Sequence, residues 1–141
     1  MNSLVYLLDT NILSDLIKNP QGAIMRRIAA FGEETVCTSV VVAAEMRFGA
    51  MKKRSPALTA KVEQILDNIE VLPLDIDADR HYAEIRNDLE SRGLMIGPND
   101  LLIAAHARSL GLIAVTDNTR EFERVPDLAV ENWLLLPPSA L

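Results

Sequence analysis

Aromatic residues, cysteines and long hydrophobic runs are all scarce in this sequence, and each shortage closes a class of structure. Aromatics make up 4% of the 141 residues. That is too few for an antiparallel barrel or for an RNA-binding platform of stacked rings. The single cysteine, Cys37, excludes an internal disulfide and a Cys-based zinc site, and it fits a reducing compartment. No charge-free stretch exceeds ten residues, as in Thr35 to Ala44, which is too short to span a bilayer. Met1-Asn2-Ser3 and the short apolar run after it show neither a basic region nor a small-residue cleavage pattern. No signal peptide is therefore expected, and a cytoplasmic location is. There is no Gly-rich phosphate loop, which argues against an NTPase or a dinucleotide enzyme, and no Gly-x-Ser-x-Gly elbow. Repeats, low-complexity blocks and Pro/Gly/Ser-rich linkers are also missing.

What is present is a chain of one-domain length with 49% apolar residues, enough for a real core. One domain over residues 1–141 is expected, with a tail from about residue 134 that carries Pro137-Pro138. Charges are 14 Lys+Arg against 20 Asp+Glu, a net of −6.

Short apolar runs alternate with helical patterns. Leu4 to Leu8 is a continuous apolar run, the mark of a strand buried on both faces. Residues 12–18 and 21–31 read as helices broken at Asn19-Pro20. Val36-Cys37-Thr38 is a short strand, and Ser39 can cap a helix from Val40 to about Met51. Residues 56–69 form an amphipathic helix, and Val71-Leu72-Pro73 a strand whose proline suggests an edge. Asp77 can cap a helix to about Arg92, with Ala78, Tyr82, Ile85 and Leu89 on one face and Gly93 as its stop. Pro98 to Leu110 is a helix ending at Gly111, and residues 112–115 and 128–130 are strands. Alternating strands and helices imply an α/β fold with a mostly parallel sheet covered on both faces. Ligands in such sheets bind at the carboxyl ends of strands where strand order reverses.

Four acids stand out against that frame. Asp9 follows the first strand directly, and Asp117 follows the strand at 112–115 after Thr116. Either alone reads as a cap or turn aspartate, but two at the ends of buried strands weaken that alternative. Glu45 falls in the stripe of Val41, Phe48 and Gly49 on its helix. A charge on a packing face is costly unless it is paired, for instance with Lys52 or Arg47, or binds a metal. Asp100 opens the helix 98–110 on the side of Ile103, Ala104 and Ala107; its alternative role is to complement the helix dipole.

Four carboxylates brought to one sheet end repel each other, and some of their pKa values rise. The natural counter-charge is a hard divalent cation with oxygen ligands, Mg²⁺ or Mn²⁺, and the matching chemistry is metal-assisted phosphodiester hydrolysis. Discounting those four charges leaves −2 of the −6, so the remaining surface is less hostile to a polyanion. Neither histidine reads as catalytic. His106 lies about 240° round the helix from Asp100, and His81 flanks an apolar face. Lys52-Lys53-Arg54 is the one three-residue basic run, either a solvated helix end or a phosphate contact, and Arg86 is a candidate RNA contact. Asn11, Thr116 and Asn118 lie beside the acids and can orient water or ligands, though such residues are also ordinary in caps and turns.

These residues resemble the PIN-domain ribonucleases, and within them the VapC toxins of bacterial toxin–antitoxin pairs. The match runs through Leu7-Leu8-Asp9-Thr10-Asn11, Ser39 to Glu45, Gly97-Pro98-Asn99-Asp100 to Ala107, Val115-Thr116-Asp117-Asn118, Arg120-Glu121-Phe122 and Glu131-Asn132-Trp133. It covers essentially the whole chain in order. The resemblance implies a five-stranded parallel sheet ordered 3-2-1-4-5, with Asp9 and Asp117 flanking the switch point. It implies that Asp9, Glu45, Asp100 and Asp117 form a catalytic and metal-holding site for Mg²⁺ or Mn²⁺, supported by Thr10, Asn11, Thr116 and Asn118. It also implies a homodimer, an RNA substrate such as tRNA or ribosomal RNA, and a VapB-type antitoxin. Such an antitoxin carries the operator-DNA-binding half and a tail that lies across the toxin.

The reading that follows is a metal-dependent endoribonuclease toxin leaving 5′-phosphate and 3′-hydroxyl ends, with no membrane association. A second reading, motivated by the acidic balance and sparse basic surface, is a regulatory partner of a DNA-binding antitoxin with weak nuclease activity. A phosphatase or phosphoacceptor domain is a third, weakened by the lack of an Asp-x-Asp pair after the first strand. The pairing surface of a dimer is expected on helices 12–31 and 56–69, through Ile12, Leu16, Ile24, Met25, Leu58 and Leu66, unless these residues only cover the sheet.

Overall fold

The structure is a computed structural model and describes residues 3–135. Strands and helices follow in the order β1 (Tyr6–Leu8), α1 (Thr10–Lys18), α2 (Ala23–Phe31), a 3₁₀ turn (Glu33–Thr35), β2 (Val36–Ser39) and α3 (Val40–Lys53). Then come α4 (Pro56–Asp67), β3 (Glu70–Leu72), α5 (Ala78–Arg92), α6 (Pro98–Ser109), β4 (Ile113–Val115), α7 (Thr119–Phe122) and β5 (Val130–Glu131). The strands form one parallel sheet in the order β3-β2-β1-β4-β5, as the family resemblance implies. Leu7 pairs with Cys37 on one side and with Ala114 on the other. Every residue of β2 is buried. Successive side chains of a strand face opposite ways, so both faces of the sheet are covered there.

The element ends show what sets them. α1 begins at Thr10, two residues earlier than the apolar spacing suggests, because Asp9 caps it through Oδ1 and the Thr10 amide at 2.8 Å. Ser39 caps α3 as expected, accepting from the Val41 amide at 3.0 Å. Gly93 and Gly111 end their helices at φ +66° and +67°, left-handed geometry that a Cβ disfavours. Asp77 does not cap α5. It has helical φ and ψ and its side chain makes no cap bond, while Asp75 accepts from the Ile76 amide in the turn before it. The last strand lies at Val130–Glu131 rather than 128–130, and α7 has no counterpart in the hydrophobic spacing. Pro137-Pro138 lies outside the described residues.

Two surface expectations are corrected. Ile12, Leu16, Ile24 and Leu66 are core residues, and Met25 and Leu58 pack half-buried against the core, so they cover the sheet. The buried side of α3 is Val42, Ala43, Met46 and Ala50, whereas Phe48 is 65% exposed. The stripe that contains Glu45 is therefore not the face that packs on the sheet. Phe48, Met51 and Ile76 are instead large apolar side chains turned to the surface. Among the described residues no helix is long and apolar enough to cross a membrane.

Near the end of the described chain, Trp133 is buried and meets Tyr6 edge-on at 4.9 Å, while Tyr6 stacks on Phe31 at 5.2 Å. This contact ties the segment after β5 to the first strand and carries Asn132 toward the carboxyl ends of β1 and β4.

Candidate active site

Among the described residues the buried polar ones are Asp9, Thr38, Ser39, Thr116 and His106, and the first four all sit at the carboxyl ends of β1, β2 and β4. His106, on α6, reaches the same region through Ser39, its Nδ1 lying 2.8 Å from Ser39 Oγ. Polar side chains are costly to bury without partners. Their concentration at the switch point marks it as more than core.

An open pocket of about 500 Å³ opens there, and Asp9, Glu45, Asp100 and Asp117 all line it. Asp9 is only 3% exposed. Its Oδ1 accepts from the Thr10 amide at 2.8 Å, and its Oδ2 accepts from Thr116 Oγ1 at 2.8 Å. Thr116 Oγ1 also accepts from the Asn118 amide at 2.9 Å, which fixes the hydroxyl proton toward Asp9. Asn11 Oδ1 accepts from the Asp117 amide at 2.9 Å, and its Nδ2 lies 3.4 Å from both Asp9 Oδ2 and Thr116 Oγ1. Glu45 enters from α3 with each oxygen held: Oε1 by Thr10 Oγ1 at 2.7 Å and Oε2 by Asn99 Nδ2 at 3.1 Å. The ion pair with Arg47 or Lys52 offered as an alternative does not form, since Arg47 pairs with Glu63.

Asp100, in the first turn of α6, faces Asp9, Glu45 and a further acid, Glu121 of α7. Asn118 Nδ2 bridges Asp100 Oδ2 at 3.3 Å and Glu121 Oε2 at 3.0 Å. Burial raises Asp100 to about 6, helped by the charges of Asp9, Glu121 and Glu45 and by a hydrogen bond between its protonated form and Glu121. Burial also raises Asp9, with Glu45 adding to the shift, against the hydrogen bonds from Thr116, Thr10 and Asn11, which lower it. Asp117 is exposed at the rim, with Oδ1 held by Asn132 Nδ2 at 3.0 Å. Among the described residues the cluster is thus anionic, and none of the four acids has an ion-pair partner.

The donors are all oxygens, and the strain on Asp9 and Asp100 is what a cation relieves, so the chemistry of the site fits a hard divalent ion. Among the described residues no three of these side chains already converge as a ready ligand set. Glu121, Asn99 and Asn132 are parts of the site that motif and spacing did not single out for a role. The signal available for Glu121 was its place one turn after Asn118. Arg86 is engaged elsewhere, with Glu90 at 3.0 Å and the Tyr82 hydroxyl at 3.0 Å. Lys52, Lys53 and Arg54 form the last turn and cap of α3 and do not line the pocket.

Known proteins share this fold. The PIN domain family model matches residues 6–128. The tRNA(fMet)-specific endonuclease VapC of Shigella flexneri is 42% identical over 131 residues, which is 92% of this chain and 98% of that protein. Ribonuclease VapC2 of Haemophilus influenzae is 40% identical over 132 residues, 93% of this chain and 99% of its own. Among solved structures, DNA-bound VapBC from Salmonella typhimurium superposes with a TM-score of 0.87 at 39% identity, covering 92% of this chain and 98% of that one. VapBC2 of Rickettsia felis, bound to a promoter DNA fragment, gives 0.86 at 33% identity, with 92% and 99% covered. The family match over residues 6–128 and the likeness across nine-tenths of the chain agree: the chain belongs to the PIN-domain family and, within it, to the VapC ribonucleases.

Proposed function

We propose that the protein is a metal-dependent endoribonuclease toxin that hydrolyses RNA phosphodiester bonds at the acid-lined pocket. The observation that carries this reading is the pocket itself, which Asp9, Glu45, Asp100 and Asp117 line with none of them in an ion pair among the described residues, and with two of them pushed upward. Asp9, Glu45, Asp100 and Asp117 would hold Mg²⁺ or Mn²⁺. A bound ion of that kind supplies an activated water and neutralises charge on the phosphate under in-line attack. The chain's own residues do the positioning. Thr10 and Thr116 fix both oxygens of Asp9, and Thr10 and Asn99 fix those of Glu45. Asn118 sets Asp100, while Asn11 and Asn132 set the turn that carries Asp117. Both oxygens of Asp9 and both of Glu45 are oriented before substrate arrives, which lowers the reorganisation needed in the transition state. With water as nucleophile, the products carry 5′-phosphate and 3′-hydroxyl ends.

The likeness to Shigella VapC favours a structured RNA such as tRNA as substrate, with ribosomal RNA the other class. The likeness to DNA-bound VapBC complexes supports a VapB-type antitoxin that neutralises the toxin and contacts operator DNA itself. A homodimer in the cytoplasm completes the proposal, with Phe48, Met51 and Ile76 as apolar surface available to a partner.

The test is cleavage of total RNA by the purified, antitoxin-free protein with Mn²⁺ or Mg²⁺ and with EDTA, beside Asp9→Asn, with product ends typed. Discrete metal-dependent cuts lost in Asp9→Asn, with 5′-phosphate ends, are expected. Ends bearing 2′,3′-cyclic phosphate overturn the mechanism. No cutting by folded, metal-loaded protein favours the regulatory partner instead.

A further inference from the structure

An acid-lined pocket repels the polyanion it is read as cutting, and five of its lining residues are acids, counting Asp15 of α1. Among the described residues the lining holds one cation, Lys18. Asn11, Ser14 and Lys18 follow each other at i, i+3 and i+7, so they form a polar ridge on the side of α1 opposite the buried Ile12, Leu13 and Leu16. That ridge runs from the Asp9–Thr116 cluster outward by about 10 Å along the helix axis at 1.5 Å per residue.

The state of Lys18 is notable. Asp15, three residues earlier, is its natural ion-pair partner, yet Asp15 Oδ1 accepts from Asn19 Nδ2 at 3.1 Å. Among the described residues the Lys18 side chain makes no ion pair or hydrogen bond, and it is exposed. An unpaired ammonium on a flexible stem, at one end of an anionic pocket, suits a point contact with a phosphate.

We infer that Lys18 holds a neighbouring phosphate of the RNA strand, outside the scissile bond, and so sets the register of the strand across the acid cluster. This rests on the reading of the pocket as a ribonuclease site. Lys18 is then a positioning residue that acts through the substrate backbone and reads no base.

The other role for a lysine in the last turn of a helix is to complement the helix dipole, which affects stability alone. Lys18→Gln and Lys18→Arg separate the two. The substrate is an RNA cut by the wild-type protein, followed at several salt concentrations in Mg²⁺ or Mn²⁺. For Lys18→Gln, KM is expected to rise about fivefold with kcat within about twofold, and the salt dependence of log kcat/KM to become shallower by about 0.7 for one lost single-strand contact. Lys18→Arg is expected to recover most of KM and the salt slope. Thermal unfolding serves as a control, with both variants within a few degrees of wild type. Wild-type KM and salt slope in Lys18→Gln overturn the inference, and so does a loss matched by destabilisation. A wild-type protein that neither binds nor cuts RNA overturns the ribonuclease reading and Lys18 with it; cutting that is indifferent to Lys18→Gln overturns Lys18 alone.

Discussion

Replacing Asp100 by asparagine is expected to make the metal-free protein more stable while abolishing cleavage. Burial and the charges of Asp9, Glu121 and Glu45 lift Asp100 to about 6 from an ordinary 3.8. At 1.36 kcal/mol per pH unit that difference corresponds to roughly 3 kcal/mol of unfavourable ionisation at neutral pH. Asp100 is half-exposed, so water screens part of it. Asparagine also gives up the favourable place of a negative charge in the first turn of α6, about 0.3–1 kcal/mol. A net gain of about 1–2 kcal/mol remains. The sign with pH follows from proton binding. A raised folded pKa means the folded state holds its proton more tightly than the unfolded chain, so wild-type stability is lost as pH rises from about 4 through about 6. The advantage of Asp100→Asn is therefore absent below about pH 4 and complete above about pH 6. Urea unfolding in EDTA at both ends of that window measures it by linear extrapolation. Added Mg²⁺ is expected to reverse the order, because a ligand held better by wild type stabilises it more. Equal or lower stability of the variant near neutral pH, or the same gain at low and neutral pH, refutes the view of Asp100 as a charge held in deficit.

Three other outcomes follow from single contacts. Thr116→Val removes the hydroxyl between Asp9 and the Asn118 amide, and is expected to cost about 1–2 kcal/mol and most of the cleavage rate, read by urea unfolding and RNA cleavage. His106 is buried with Nδ1 against Ser39, and burial lowers its pKa below 6.5. Its neutral form therefore contributes stability that is complete above about 6.5 and fades as pH falls below it toward the lowered folded value; His106→Gln is expected to flatten that part of the stability–pH curve. The Cys37 thiol is pushed up to about 12 by burial, with Glu70 adding to the shift. Alkylation near pH 8 is expected only after unfolding, and a fast native reaction would contradict the buried β2.

The local content of the sequence was readable because it is short-range. Continuous apolar runs mark strands covered on both sides, and Asp9 and Asp117 were found by standing just past such runs. Ser39, Gly93 and Gly111 act within a turn of where they sit, and the structure uses them as helix ends. Asp77 shows the limit even there, since the turn before α5 uses Asp75 instead. In the sequence Glu45 stands out by its place in the stripe of Val41, Phe48 and Gly49, but that stripe is not the packing face. The side chain is placed by Thr10 and Asn99, respectively 35 and 54 residues away.

The same division explains what was missed. Asn132 reaches Asp117 because Trp133 is buried against Tyr6 from the far end of the chain, and no local pattern carries that contact. Glu121 joins the acids because the turn after β4 folds α7 back toward Asp100. Ile12, Leu16, Ile24 and Leu66 resembled spare apolar surface because a helix pattern shows how wide its apolar face is, not how much of it the sheet covers. By itself the sequence determined the strand–helix alternation, the helix ends, three acids at the ends of elements and a fourth, Glu45, within α3, all consequences of propensity, capping and burial within a few residues. Only the tertiary structure decided which of those acids share one pocket, which oxygens are held and which pKa values rise. Those properties depend on groups up to 107 residues apart and on solvent excluded by elements that meet only when the sheet is assembled.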